Sequence, residues 1–411
     1  MKNLLIIGFV WPEPNSTAAG SRMLQLIDLF QKKCFNINFV CAASKTDKSF
    51  DLEKLNIQTF NSLLNDSSFD KLVKKISPDF VLFDRFLTEE QFGWRIAKNC
   101  PEAIRILDTE DLHFLRNARQ IAYQNNEKVT LGYLTNDLAK REIASIYRCD
   151  LTLIISKYEM KLLKKTFKID KSLLLYLPFL LNKINLETIS SYPAFQDRSH
   201  FISIGNFKHE PNWDSVRYLK EVIWPIIHEK LPNAQLHIYG AYATEKVLQL
   251  NNIKEGFIVK GWAENAKDVF INSRVCLAPL RFGAGLKGKL IDAMQFGTPS
   301  VTTNIGAEAM HNILPWNGFI TDDPAEFALK SVELYTDEKL WENAQQNGIE
   351  IIKKCYSKEK YEKRLLNKIK EIQKNILAHR LLNFIGAMLL HHNLQSTKYM
   401  SKWIEEKNKP V

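Results

Sequence analysis

Hydrophobic and polar positions along the chain alternate between two patterns from the first residues onward. Short apolar runs are followed by stretches in which apolar residues recur at helical spacing. Apolar strands separated by amphipathic helices predict a parallel sheet covered on both faces. In the first half, the predicted strands are Leu4–Val10, Ile37–Ala42, Phe80–Phe83, Ile104–Asp108, Leu151–Ser156 and Leu173–Leu177, and the helices include Ser21–Lys33, Phe69–Ile76, Thr88–Lys98 and Asn136–Tyr147.

A polar segment without clear periodicity, residues 182–199, separates this series from a second one, as is typical of a linker between domains. The chain is therefore predicted to form two doubly wound α/β domains, with a ligand in the cleft between the carboxyl ends of their strands. In the second series, the predicted strands are Phe201–Gly205, Gln235–Gly240, Phe257–Lys260, Val275–Ala278, Ser300–Thr303 and Gly318–Thr321, and the helices are Asn212–Leu231, Ala266–Ser273, Lys289–Phe296 and Pro324–Tyr335.

The last part of the chain is helical by pattern and contains an apolar run too short to span a bilayer. One face of that helix either docks on the body of the protein or lies on a membrane surface, with basic residues near the lipid head groups. The apolar residues of this face are Leu381, Phe384, Ile385 and Met388, and the basic residues are Arg380, His391, Lys398 and Lys402. The predicted division is a first domain at 1–183, a linker at 184–199, a second domain at 200–355, and a crossing helix with a helical tail at 356–411.

Length and composition agree with this division. A chain of 411 residues is long for one core, and its hydrophobic fraction of 45% and charged fraction of 25% are ordinary for a globular protein. The N-terminus lacks a signal-peptide pattern and reads as a first strand. The six cysteines are scattered without close pairs, which indicates reduced thiols and no metal site. We therefore expect a cytoplasmic protein, or one bound peripherally at the inner face of a membrane.

The net charge of +10 fits an anionic partner such as nucleic acid, lipid head groups or a diphosphate. It also fits an ordinary lysine-rich surface, because the lysines are interspersed with acids. No basic motif interleaved with aromatic residues is present, so nucleic acid is not an expected partner.

The segment RFGAGLKGKLIDAM, residues 281–294, carries the most specific chemistry. Gly283 and Gly285 allow the backbone to approach a ligand closely. Lys287 and Lys289 add positive charge at a predicted helix start, where free N–H groups favour phosphate. Asp292 follows about one turn later and can accept hydrogen bonds from sugar hydroxyls. The alternative is a plain loop with solvated lysines, since the segment is neither a P-loop nor a GxGxxG turn.

Two polar segments of the first domain are further candidates. The loop at residues 11–22 joins the first strand to the first helix, and its candidates are Asn15, Ser16, Gly20 and Arg22, although Ser16 or Ser21 can equally serve as an N-cap. The run at 107–119 follows a strand, and His113 is its catalytic candidate, with a structural histidine as the alternative. The other charged residues of this run and of the preceding strand end are Asp108, Glu110, Asp111, Arg116, Arg119, Asp84, Arg85, Glu89 and Glu90.

Residues 277–310, LAPLRFGAGLKGKLIDAMQFGTPSVTTNIGAEAM, resemble the donor-binding signature of group 1 glycosyltransferases of family 4, in particular a subgroup with a GAGxKGK loop. The segments GNFKHEPNWDSVRYL (205–219), VKGWAEN (259–265) and GFVWPEPNSTAAGSRMLQL (8–26) resemble other parts of such enzymes. The resemblance implies a GT-B fold, in which two Rossmann-like domains face each other across a cleft, with C-terminal helices.

The resemblance also implies an activity. Such an enzyme transfers a hexosyl group from a UDP-, GDP-, dTDP- or ADP-sugar to an acceptor hydroxyl with retention. No metal or other cofactor is expected, because the lysines and the helix start of residues 281–294 can stabilise the leaving diphosphate. The net charge and the C-terminal helix favour a glycan or lipid-linked acceptor. A role in cell-envelope glycan synthesis, such as lipopolysaccharide, O-antigen, capsule or exopolysaccharide, is expected. A sugar-nucleotide epimerase of the same fold, a non-catalytic binding protein and a structural partner in polysaccharide assembly are the alternatives.

The sequence departs from the family pattern at two places. The family has two glutamates eight positions apart; the second corresponds to Asp292, but the first is Ala284, so backbone N–H groups of the loop are expected to contact the sugar. The usual Arg…Lys pair is absent, and Lys208 is a weak substitute, so the diphosphate is assigned to the two loop lysines. The predicted catalytic residues are His113 and Lys287, and the predicted donor-binding residues are Asn15, Gly20, Gly283, Ala284, Gly285, Leu286, Lys287, Lys289 and Asp292.

Overall fold

The computed structural model describes residues 2–408, apart from the side chains of residues 392–395. Its first parallel sheet has seven strands in the order β3-β2-β1-β4-β5-β6-β7. The strands are β1 (Lys2–Gly8), β2 (Phe35–Cys41), β3 (Gln58–Asn61), β4 (Phe80–Asp84), β5 (Ile104–Asp108), β6 (Leu151–Ile154) and β7 (Leu174–Tyr176). The helices around it are α1 (Ala18–Lys32), α2 (Ser68–Ile76), α3 (Arg85–Asn99), α4 (His113–Gln124), α5 (Leu131–Leu134), α6 (Asp137–Arg148) and α7 (Lys157–Lys165).

After a connection that contains α8 (Leu186–Ser190), the chain forms a second parallel sheet of six strands in the order β10-β9-β8-β11-β12-β13. The strands are β8 (Ser199–Ile204), β9 (Leu236–Tyr239), β10 (Phe257–Gly261), β11 (Ser273–Ala278), β12 (Ser300–Thr302) and β13 (Gly318–Ile320). The helices are α9 (Glu210–Tyr218), α10 (Trp224–Lys230), α11 (Glu245–Leu248), α12 (Ala266–Asn272), α13 (Gly288–Gln295), α14 (Asn304–Ala307), α15 (Pro324–Thr336) and α16 (Glu338–Cys355). The prediction of two doubly wound parallel sheets is confirmed.

The strands are apolar on both sides because helices cover both faces of each sheet. In β1, Leu4 and Ile6 belong to one hydrophobic cluster, and Leu5 and Ile7 belong to the cluster on the opposite face. All four side chains are completely buried. This two-residue alternation follows from strand geometry and explains why the central strands read as continuous apolar runs.

Three local features differ from the prediction. The edge strand β3 was not predicted, because it is short and largely polar. The predicted helix Asn212–Leu231 is interrupted by a π turn at Leu219–Ile223, just before Pro225, whose missing N–H cannot complete a regular helical ladder. Helix α1 begins three residues earlier than predicted and is capped by Thr17, whose hydroxyl accepts from the Gly20 N–H at 3.0 Å, rather than by Ser16 or Ser21.

The segment predicted as a linker lies against the second sheet and its helices. The Tyr192 hydroxyl donates to the Gln295 carbonyl at 2.5 Å, and the Arg198 side chain is completely buried. Its guanidinium donates to the Thr298 hydroxyl at 3.0 Å. These contacts fix the chain where it enters the second domain, which we define by β8–β13 and the helices packed on them.

At the end of α16 the chain returns to the first domain, which we define by β1–β7 and the helices packed on them. The Leu181 N–H donates to the Tyr356 carbonyl at 3.0 Å, and the Lys358 N–H donates to the Leu181 carbonyl at 2.9 Å. Helix α17 (Lys358–Lys374) then packs on the first sheet. The residues of α17 in the first hydrophobic cluster are Tyr361, Leu365, Ile369 and Ile372.

Two further helices, α18 (Ile376–Leu382) and α19 (Phe384–Lys407), complete the described chain. Arg380, predicted near lipid head groups, instead pairs with Asp150 at 2.8 Å. Helix α19 docks through Ser401, which is 1% exposed and accepts a hydrogen bond from Arg95. The apolar residues predicted to share one face, Leu381, Phe384, Ile385 and Met388, are exposed to solvent. Among the residues that the structure describes, no helix has the length and apolar character needed to cross a bilayer.

Candidate active site

A cleft of about 510 Å³ lies between the carboxyl ends of the two sheets. It is lined by residues of both domains, and the segment from Phe282 to Lys289 forms much of the second-domain wall. The first-domain wall comes from the loop after β1 and the residues after β4 and β5. In parallel α/β sheets, ligands bind at this edge, so the cleft is the candidate active site.

The loop between β11 and α13 lies against the first domain. Gly285 has φ of +63°, and a Cβ at this position would lie 2.8 Å from the Asp111 Cβ. A Cβ on Gly288 would lie 2.5 Å from the Ala18 Cβ. Both glycines are therefore required by the close approach of the two domains, and at Gly285 also by the left-handed backbone.

Both predicted lysines lie at the start of α13. Lys287 is the N-cap residue, is 8% exposed, and donates through Nζ to the Gly285 carbonyl at 2.8 Å. Lys289 donates to Asn212 Oδ1 at 2.9 Å. Burial lowers the pKa of each ammonium to about 8, so both are charged at neutral pH. Neither makes a salt bridge among the described residues, and an anion in the cleft would supply the missing charge.

Asp292 lies one turn into α13 and lines the same cleft. Burial raises the pKa of its carboxyl to about 7. Such a carboxyl is stabilised by hydroxyl groups that donate hydrogen bonds to its charged form. The position suits a sugar hydroxyl that follows a phosphate held at the helix start.

Ala284 is in apolar surroundings. Ala284 packs within an apolar cluster of the first domain that includes Leu112 and Phe114. A carboxylate at this position would be buried among apolar side chains, at a large cost in free energy. The site at residue 284 therefore fits a small apolar side chain.

The backbone N–H groups of this loop were predicted to contact the sugar, but one of them is occupied. The Gly285 N–H donates to Glu159 Oε1 at 2.8 Å, and the Leu112 N–H donates to the same oxygen at 3.1 Å. Burial raises the pKa of the Glu159 carboxyl to about 8. Glu159 of α7 thus connects the loop between β11 and α13 to the first domain. The sequence did not indicate this contact.

His113 lines the cleft as the first residue of α4. The carboxylate of Glu142 holds this helix start, because it accepts from the N–H groups of His113 and Phe114 at 3.3 and 3.1 Å. The imidazole Nδ1 lies 3.8 Å from Asp111 Oδ1 and 3.6 Å from Glu142 Oε1. The imidazole therefore lies between two carboxylates at the edge of the cleft, and its Nδ1 has no hydrogen-bond partner among the described residues.

The other first-domain candidates divide into two groups. Asn15 and Ser16 line the cleft, and the Asn15 carbonyl accepts from Trp262 Nε1 at 3.2 Å. Gly20 does not line the cleft. A Cβ at Gly20 would lie 2.5 Å from the Glu13 carbonyl carbon, so a glycine is needed here for close packing of the backbone. Arg22 is also directed away, because it is buried in a pair with Asp108 at 2.8 Å.

Arg119 and Glu308 form a contact between the domains that sequence reasoning missed. The Arg119 guanidinium donates to both carboxylate oxygens of Glu308 at 2.8 Å and to the Gly283 carbonyl at 2.8 Å. A second contact joins the Tyr242 hydroxyl to the Glu13 carboxylate at 2.8 Å. These pairs are 189 and 229 residues apart, so no local pattern could have revealed them.

His209 is another cleft residue that was missed, although it lies in the quoted segment GNFKHEPN. Burial, with Arg116 as the next cause, lowers the pKa of its imidazole to about 4, so the ring is neutral at neutral pH. It precedes α9, whose first turn also reaches the cleft through Pro211 and Asn212. Among the side chains that the structure describes, no group of three or more His, Cys, Asp or Glu is arranged to hold a metal ion.

Comparisons with known proteins agree with this geometry. Residues 198–337 match the model of the family described as Glycosyl transferases group 1. A comparison with curated protein sequences finds no match. The match covers most of the second domain, including the loop between β11 and α13. It agrees with the predicted class of enzyme, a glycosyltransferase.

Solved structures with the same architecture span nearly the whole chain. A sucrose-phosphate synthase from Thermosynechococcus elongatus is 13% identical, with a TM-score of 0.68 over 90% of this chain and 99% of that chain. S. aureus TarM is 11% identical, with a TM-score of 0.68 over 90% and 98%. HepE from Anabaena, solved with UDP and glucose, is 12% identical, with a TM-score of 0.65 over 90% and 100%. These similarities confirm the GT-B fold.

Proposed function

We propose that the protein transfers a glycosyl group from a nucleotide sugar to an acceptor hydroxyl, with retention of configuration and without a metal ion. The observation that carries this proposal is the loop between β11 and α13, the donor loop, which places one buried and one partly buried lysine at the start of α13, in a cleft between two Rossmann-like domains. The family match over residues 198–337 supports the same proposal, as does the UDP bound in the HepE structure.

In this proposal the donor diphosphate lies against Lys287 and Lys289, and a ribose hydroxyl donates to Asp292. Negative charge develops on the leaving phosphate oxygen as the bond to the sugar C1 breaks. Fixed positive groups aimed at that oxygen stabilise the transition state. The contacts between the domains exclude water, which favours transfer to the acceptor over hydrolysis.

The proposal is tested by a thermal-shift screen against UDP-, GDP-, dTDP- and ADP-sugars. A ligand that binds only the folded protein raises its melting temperature, so one nucleotide series is expected to do so. Product analysis with the selected donor then separates transfer from epimerisation. If no nucleotide sugar raises the melting temperature, the donor assignment is wrong.

Binding of the nucleoside diphosphate should weaken as the pH rises. Both lysines have a pKa of about 8, and their charged forms attract phosphate. Affinity should therefore fall above pH 8, by about tenfold per pH unit for each lysine that must be protonated. Calorimetric titration with the nucleoside diphosphate between pH 6.5 and 9.5 measures this slope, and a flat profile would contradict the assignment.

Activity should be unchanged after treatment with EDTA. Two lysines and a helix start can neutralise the leaving diphosphate, a role that a divalent ion has in other transferases. Initial rates with and without added Mg²⁺ after chelation check this expectation. A loss of most of the activity that Mg²⁺ restores would show that the lysines are not sufficient.

We further propose that the acceptor belongs to a cell-envelope glycan and that the protein works in the cytoplasm, at the membrane where lipid-linked acceptors are found. The exposed apolar residues of α18 and α19, such as Leu382 and Phe384, are compatible with a peripheral contact. Co-sedimentation with vesicles of anionic lipid tests this part independently of the activity. If the protein stays in the supernatant at low salt, the membrane contact is wrong.

A further inference from the structure

The end of the cleft formed by the first domain contains two residues with a left-handed backbone. Arg85 follows β4 with φ of +69°, and Glu110 lies two residues beyond β5 with φ of +61°. These strands are neighbours, with Asp84 opposite Asp108. Such conformations are unfavourable for residues with a Cβ, and they persist where a side chain must be held in a particular place. Both side chains line the cleft.

Glu110 has no salt-bridge partner among the described residues, in contrast to the carboxylates around it. Asp108 pairs with Arg22 at 2.8 Å, and Asp84 pairs with Arg85 at 3.3 Å. The Glu110 side chain is nine-tenths buried, and its Oε1 is buried without a hydrogen-bond partner. Burial, together with the neighbouring Asp108, raises the pKa of Glu110 well above its usual range. A buried carboxyl oxygen without a partner is costly unless a ligand supplies one.

The position of Glu110 is next to the donor loop. A Cβ on Gly285 would lie 3.6 Å from the Glu110 carbonyl oxygen. The Glu110 backbone therefore lies beside the loop whose lysines we assign to the donor diphosphate. On this side of the cleft the arginines are already paired: Arg85 with Asp84, and Arg116 with Asp111.

Resting on the proposed function, we propose that Glu110 is the acceptor-binding residue and that the sugar unit it binds is an uncharged polyol. Its carboxyl accepts a hydrogen bond from an acceptor hydroxyl, and the side chains of Phe9 and Val10, which line the same end of the cleft, contact the apolar face of the sugar. A phosphate on this unit would face carboxyl groups, and the positive charges of Arg85 and Arg116 are paired with Asp84 and Asp111. The cleft thus has one wall for an anionic donor and one for a neutral acceptor.

The test uses three variants of the full chain. Glu110→Gly removes the carboxyl and suits the left-handed backbone, Glu110→Gln keeps the shape, and Glu102→Gln is a control at an exposed carboxylate of the same domain. Acceptors are neutral p-nitrophenyl glycosides and sugar 6-phosphates, assayed with the donor found by the thermal-shift screen. Glu110→Gly should raise the acceptor KM about 2- to 10-fold, the range expected for the loss of a hydrogen bond. Glu110→Gln should have a smaller effect, and the control should have none.

The melting temperature separates an acceptor-binding role from a structural one. Glu110→Gly removes the strain of a left-handed backbone and a buried carboxyl. This variant should therefore have a melting temperature equal to or above that of the unaltered protein. The melting shift caused by UDP, GDP, dTDP or ADP should be the same in all variants, and its absence in the unaltered protein would overturn the proposed function itself. A lower melting temperature with an unchanged acceptor KM would overturn the role of Glu110. The role of Glu110 would also be overturned if the enzyme transferred only to the phosphorylated sugars, or to none of the neutral glycosides.

Discussion

Replacing Lys287 with alanine should lower turnover about 100- to 1,000-fold while the protein stays folded. This is the loss seen when one preorganised donor is removed from a site where charge develops in the transition state. Lys287 is 8% exposed and its ammonium faces the cleft without a salt bridge among the described residues. Steady-state kinetics with a saturating acceptor measure the effect on kcat.

The fold should survive because the buried ammonium is itself unfavourable. Burial lowers the pKa of Lys287 to about 8, so the folded state holds this charge at a cost. The variant Lys287→Met keeps most of the aliphatic side chain and should lose the same activity with an unchanged melting temperature. Lys254→Ala, at an exposed position of the second domain, should behave as the unaltered protein. Full turnover in Lys287→Met would remove the lysine from the mechanism.

Breaking the pair between Arg119 and Glu308 should open the cleft. Their side chains are 8% and 17% exposed, and removal of one partner from a buried pair costs about 3–5 kcal/mol. Because the two residues belong to different domains, this cost falls on the closed arrangement rather than on either domain alone. Arg119→Met should therefore shift the equilibrium toward the open arrangement by about 100-fold or more. Small-angle X-ray scattering would show a larger radius of gyration, and kcat/KM would fall.

Two variants distinguish this effect from general damage. Arg141→Met removes an exposed pair with Glu90 within the first domain and should cost at most about 1 kcal/mol. The exchange Arg119→Glu with Glu308→Arg should recover part of the compact shape, since the attraction is restored in reverse. An unchanged radius of gyration in Arg119→Met would mean that the other contacts between the domains are sufficient.

The sequence predicted every strand except the edge strand β3, for a physical reason. Central strands such as β4 are buried on both faces and therefore consist of apolar residues. The edge strand β3 is half exposed and reads as a polar segment. The π turn before Pro225 depends on how a helix accommodates a missing N–H, which periodicity does not reveal.

The candidate site also contains a part that the sequence predicted and a part that it did not. The donor loop was identifiable because its glycines and lysines are close together in sequence, and their types reflect local geometry. Glu159 and Arg119 reach the loop from the first domain across the cleft, and single charged residues carry no distinguishing local pattern. Ala284 became understandable only when the structure placed it against the first domain.

The packing of α17 has a consequence for the order of events during synthesis. The first sheet is complete at β7, but its cluster lacks Tyr361, Leu365, Ile369 and Ile372 until the ribosome has added about 190 more residues after Leu181. At roughly 5–20 residues per second, this delay is about 10–40 s. During that interval the whole second domain can fold on its own while the apolar groove of the first stays open to chaperones. The first domain is thus translated first, but its hydrophobic cluster is completed last.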